Sequence, residues 1–124
     1  FDKSLEKLEE YSKKRLLGDH VPYAVEAYPE NNMKHLSAES ALYCRLIIEG
    51  MLSFEQTGFN SFSIKPQLSN KLSNLNLSNL HIGNNNVSIK LHLIGDEIET
   101  KIYLNKIEII NKRIKIGQKV IIEI

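Results

Sequence analysis

The chain has 124 residues, 16 Lys and Arg against 15 Asp and Glu, and a net charge of +1, so neither nucleic acid nor an anionic membrane is implied as a partner by electrostatics. Its single cysteine, Cys44, excludes an internal disulfide and a multi-cysteine metal site, and its place in an apolar stretch points to a buried thiol. A chain of this length makes one domain, or a helical piece plus a small β module, and can bury roughly two-thirds of the surface its unfolded form exposes.

No secretory signal is present, and no apolar run approaches the roughly 20 residues of a membrane-crossing helix. Phe1 in place of methionine suggests a trimmed or excised chain. The compartment is therefore open, and a periplasmic or extracellular parent is compatible with the sequence.

From Asp2 to Leu17, Leu5, Leu8, Tyr11 and Leu16 recur at helical spacing, while Glu9 with Lys13 and Glu10 with Lys14 stand four apart. This predicts an amphipathic surface helix. The basic run Lys13-Lys14-Arg15 follows Glu6, Glu9 and Glu10 and reads as a solvated helix face. Gly18-Asp19 supplies a stop, and Pro22 and Pro29 forbid a regular helix beyond it. Residues Asp19 to His35 read as a long loop, and loops of that length are more often functional than bare connectors.

Ser37 is a plausible cap for a second helix running to Leu52 and closed by Thr57-Gly58, with Glu39 in its first turn. Between Ala41 and Met51 only Arg45 and Glu49 are charged, so apolar groups point nearly all round the axis. Such a helix must be covered on every side.

After Gly58 the periodicity changes to two: Phe62 and Ile64 alternate with Ser61, Ser63 and Lys65. Leu72, Leu75, Leu77 and Leu80 imitate leucine-rich spacing, but one copy cannot stack on neighbours, so short strands and turns are expected there. From Val87 the alternation is continuous through Val120, Ile122 and Ile124. Breaks at Asn84-Asn85-Asn86, Gly95-Asp96, Asn105-Lys106, Asn111-Lys112 and Gly117-Gln118 predict four or five short antiparallel strands.

The loop and second helix collect Asp19, His20, Glu26, Glu30, His35 and Glu39 beside Tyr23 and Tyr28. A metal site could draw on His20, His35 and a carboxylate, but no HExxH-like spacing is present. Serine nucleophiles lack a GxSxG elbow. Glycoside chemistry needs one carboxylic acid to protonate the leaving oxygen and a second carboxylate to activate water or attack. Carboxylates beside aromatic rings suit that chemistry; the plainer alternative is a polar loop with tyrosines packed under it.

Residues Leu16 to Leu68, and within them Glu49 to Leu68, EGMLSFEQTGFNSFSIKPQL, resemble the C-terminal end of bacterial six-hairpin, or (α/α)6-barrel, glycosidases. In that family the last barrel helices enter an EG(L/M)(F/L)(G/S)-x-x-x-TGF-x-x-F-x-x-x-P-x-L motif before a β segment. Ser53 stands where the family usually has glycine. Glu26-Ala27-Tyr28 is similar to the Glu-x-aromatic element of glucoamylases and trehalases, whose glutamate is the general base; by that likeness Glu26 is the base, with Glu30 and Glu39 as substitutes.

The resemblance implies an α+β chain: residues 1–57 as the last helical hairpin of an (α/α)6 barrel, and 58–124 as a C-terminal antiparallel β module. It implies Glu26 as catalytic residue, Tyr23, Tyr28, Glu30, His35 and Glu39 as substrate-binding residues, an oligosaccharide or glycoside substrate, and neither metal nor cofactor. The fragment alone, lacking an earlier hairpin's general acid, is expected to be inactive and to need missing barrel helices or a second copy. The alternative is a non-catalytic carbohydrate-binding or self-associating β-rich interaction module.

Overall fold

A computed structural model describes residues 1–15 and 38–124. The chain divides into two units, Phe1–Ile48 and Glu49–Ile124.

The first unit holds helix α1 (Asp2–Arg15) and the short helix α2 (Ala38–Arg45). On α1, Lys13 pairs with Glu9 at 2.6 Å and Lys7 with Glu10 at 2.9 Å; these exposed pairs contribute little. The rings of Tyr11 and Tyr43 stack with centroids 5.9 Å apart. Ser12 donates to the Leu8 carbonyl at 2.7 Å and shares a 2.8 Å hydrogen bond with the Tyr43 hydroxyl. An aromatic contact and a hydroxyl pair thus join the two helices.

The second unit is all β apart from its first residues. Strands β1 (Glu55–Gly58), β2 (Ser61–Ile64) and β7 (Val120–Glu123) form a three-stranded antiparallel sheet in the order β1-β2-β7. Strands β3 (Asn74–Ile82), β4 (Asn85–Ile94), β5 (Glu97–Leu104) and β6 (Ile107–Lys115) form a four-stranded antiparallel meander. Period-two alternation sends Val87, Ile89 and Leu91 of β4, Ile98 and Ile102 of β5, and Ile114 of β6 to one face. Phe62 and Ile64 of β2 and Val120 and Ile122 of β7 complete the same buried cluster, with Leu52 and Leu68. Both sheets therefore share one core, which Phe54 joins by stacking on Phe62 at 5.3 Å.

The turns follow from their residues. Gly83, Gly95 and Gly117 take positive φ, and at Leu104–Ile107 both central residues do so, Asn105 at 49° and Lys106 at 73°. Two left-handed residues in a row make the hairpin turn whose twist matches the flanking strands. Asn105 also ties the meander across its end: its N–H donates to the Asn86 carbonyl at 2.8 Å, and its side-chain oxygen accepts from the Asn86 N–H at 3.0 Å. The passage from β6 to β7 is held by Gly117, whose N–H donates to the Pro66 carbonyl at 2.9 Å.

The expected α+β fold with a barrel hairpin is overturned: among the described residues the chain is mostly β, with one N-terminal helix and one short helix. The apolar second helix does not run from Ser37 to Leu52. Its α-helical part ends at Arg45 and gives way to a π-helical segment, Leu46–Met51, that contains Gly50, the poorest helix former after proline. Nor is it covered all round, since Leu42 and Leu46 are more than half exposed. Cys44, expected to be buried, is exposed.

The EGMLSFEQTGFNSFSIKPQL stretch, expected at a barrel's end, builds the β1–β2 hairpin instead, with Thr57 and Gly58 inside β1. Asn111-Lys112 is not a break. The strand β6 runs through it, because both residues lie on an outer strand where polar side chains reach water.

Candidate functional site

The residues expected to act on a sugar lie mostly beyond description: Glu26, Tyr23, Tyr28, Glu30 and His35 are outside the described residues. Glu39 falls in the first turn of α2. Among the described residues no three His, Cys, Asp or Glu side chains stand close enough to hold a metal ion, and no helix is long and apolar enough to cross a membrane. What the described residues do offer is two sheet faces and four sheet edges.

The outer face of the meander is polar. Register places Asn74, His92, Glu99 and Arg113 in one row, and Asn76, Lys90, Lys101 and Asn111 in the next. His92 Nδ1 and the Asn74 side-chain oxygen are 2.6 Å apart, and Lys101 pairs with Glu99 at 3.3 Å. Lys90 lies over the Tyr103 ring, 5.2 Å from its centroid. A hydrogen bond to the Glu108 carboxylate raises the Tyr103 pKa above its ordinary 10.0, helped by desolvation and the Glu108 charge, because each disfavours the phenolate. Tyr103 thus has a cation over its ring and its hydroxyl engaged with Glu108. This is the solvated side expected of an antiparallel sheet.

The edges are more informative. An outer strand leaves N–H and C=O groups unpaired, and proteins blunt such edges with bulges and charges. Three of the four outer strands are bulged. Thr57 is an extra residue in β1 between Gln56↔Phe62 and Gly58↔Ser61. In β3 the extra residue falls between Leu77↔Ile89 and Leu80↔Val87, with Asn79 left-handed at φ 60°. In β6, Ile109 is unmatched between Ile110↔Ile102 and Glu108↔Tyr103. Each insertion sits on the outer strand itself, where it breaks the row of outward main-chain groups.

The exception is β7. Its pairing with β2 is regular over Ser61↔Glu123, Phe62↔Ile122, Ser63↔Ile121 and Ile64↔Val120, and among the described residues no strand pairs with its other side. Val120 and Ile122 are buried, whereas Ile121 is 65% exposed and Glu123 is exposed. Lys119, just before the strand, reaches Glu55 of β1 at 3.0 Å. An apolar residue between an exposed cation and an exposed anion, on an unbulged edge, is the arrangement in these described residues best suited to receive another chain. Phe59, 94% exposed at the β1–β2 turn, stands by itself.

Sequence reasoning missed this edge. The alternation of Val120, Ile122 and Ile124 was visible, but not which side of β7 is left unpaired, since that depends on its pairing with a strand some sixty residues earlier. Comparison with protein-family models, with curated proteins and with solved structures finds no match to this chain.

Proposed function

We propose that the chain is a non-catalytic, β-rich interaction module that engages its partner by adding a strand to the edge of β7. The observation that carries this is the contrast among outer strands: β1, β3 and β6 are bulged, and β7 is regular with Ile121 in water. Strand addition draws affinity from main-chain hydrogen bonds and selectivity from alternate side chains. Both are on offer at β7. The carboxylate chemistry expected of Glu26 rested on likeness to a barrel that the described residues do not build, and it has its sequence motif alone in support.

The test uses short extended peptides with alternating valine and threonine, added to isotope-labelled protein. Amide shifts should concentrate on Lys119–Glu123. Ile121→Pro removes one outward N–H, a change an edge strand tolerates, and should abolish the shifts while leaving the unfolding midpoint nearly unchanged. Shifts located elsewhere, or undiminished in Ile121→Pro, would sink the proposal.

A further inference from the structure

Resting on that reading, we infer that the strand received by β7 is β7 of a second copy, in one antiparallel register centred on Ile121. Hydrogen-bonded and non-bonded residue pairs alternate along an antiparallel ladder, and this fixes which groups β7 turns outward. The Ile124 N–H donates to the Asn60 carbonyl at 2.7 Å, so Asn60–Ile124 is a bonded pair in the same register as Ser61↔Glu123. Two residues back, Phe62–Ile122 and then Ile64–Val120 are bonded pairs as well. The main-chain groups of Ile121 and Glu123 therefore face away from β2, toward the free edge.

A two-fold axis perpendicular to the sheet sets residues of one face opposite residues of the same face. Centred on Ile121, it places Ile121 against Ile121, Val120 against Ile122, and Lys119 against Glu123 of the second copy, twice. Every pairing is favourable. The buried face continues as Val120 with Ile122, the exposed isoleucines cover each other, and Lys119, which in the single chain pairs with Glu55, exchanges that exposed partner for Glu123 of the second copy. Because the outward main-chain groups belong to Lys119, Ile121 and Glu123, the same register makes each of these a bonded pair, giving about six hydrogen bonds.

Shifting the centre to Ile122 sets Ile121 against Glu123; shifting it to Val120 sets Lys119 against Ile121. Either shift loses both charge pairs, so the segment Lys119–Glu123, KVIIE, specifies one register by its own symmetry. A flank of one sign would repel its copy; this one carries one charge of each sign. The product is two three-stranded sheets joined into one continuous sheet through β7.

The experiment is sedimentation of the whole chain across a concentration series, with Lys119→Glu and Glu123→Lys. The wild type should pass from monomer to dimer. Each single variant sets like charges opposite each other twice and should weaken the dimer by about tenfold or more. Mixing the two variants restores opposite charges at all four positions, so the mixture should dimerise where neither variant alone does. A structural defect in either variant would not be cured by mixing.

A wild type that stays monomeric, or a dimer indifferent to both single variants, overturns the inference; so does a mixture no stronger than its components. The two proposals separate cleanly. A monomeric wild type whose Lys119–Glu123 amides still shift with the valine-threonine peptides retains the edge and loses the second copy, whereas shifts absent from that edge remove both.

Discussion

The outer strands β6 and β7 make the sharpest contrast in the molecule. Both present isoleucine to water, Ile107 at 70% exposure and Ile121 at 65%. In β6, however, an inserted Ile109 interrupts the ladder, and Lys112, Arg113 and Lys115 crowd its second half with positive charge while Glu108 in its first half is engaged with Tyr103. In β7 the ladder is regular and the flanking charges are opposite. Exposure of apolar side chains is thus a poor guide to where a sheet is sticky. Main-chain regularity and charge symmetry decide it.

Both strands draw on one shared core, so damage to that core should unfold them together. Phe62 is fully buried and stacked on Phe54 in the three-stranded sheet, and Phe62→Ala should cost about 3–5 kcal/mol. Because Ile89, Ile98 and Ile102 of the meander share its cluster, urea unfolding followed at Tyr103 and by backbone signals should move together. Two separated transitions would make β6 and β7 parts of independent bodies.

A smaller effect is expected at the bulge of β6. Deleting Ile109 removes the extra residue from β6 and makes its ladder regular, so the variant should associate more strongly than the parent in sedimentation. If association is unchanged, the bulge is not what protects that edge. The smallest effect is at Tyr103, beside the same bulge. Its pKa is raised by the Glu108 hydrogen bond, so this group's contribution to stability is present below the ordinary tyrosine pKa and is lost as pH rises through the raised value. Glu108→Gln should return the phenol toward 10.0 in an ultraviolet titration; an unmoved pKa would place Glu108 away from the ring.

Much of the second unit was legible in the sequence, because burying one face of a strand writes itself as alternation. Val87, Ile89 and Leu91 point to the core as that pattern requires, and Gly95-Asp96 and Asn105-Lys106 are turns. Asn111-Lys112 misled because turn-like residues are equally at home on an outer strand. Where short strands and turns were expected, β3 is a single nine-residue strand that runs through Asn79, whose left-handed backbone marks a bulge rather than an end.

The helix from Ser37 misled for a different reason. Apolar groups all round an axis imply a demand for cover, whereas here the α-helix stops at Arg45 and leaves Leu42 and Leu46 in water. The symmetry of Lys119–Glu123 was in plain view, but it acquires meaning only once pairing with β2 shows which side is free.

The pairing of β2 with β7 also sets an order of events in time. Each hairpin of the meander joins neighbours in sequence, and such local contacts form quickly; Ser61–Ile64 must wait for Val120–Glu123 across the whole intervening meander. During synthesis β7 emerges after every other strand described here, so Phe62 and Ile64 lack their last covering strand until the meander has already left the ribosome. The segment that closes the core is the same one that offers its far side to a second chain, and a copy arriving early could take the place of β7's own neighbour. Crowded nascent chains therefore put this fold at risk of exchanging strands, and slow refolding at high concentration is where that exchange belongs.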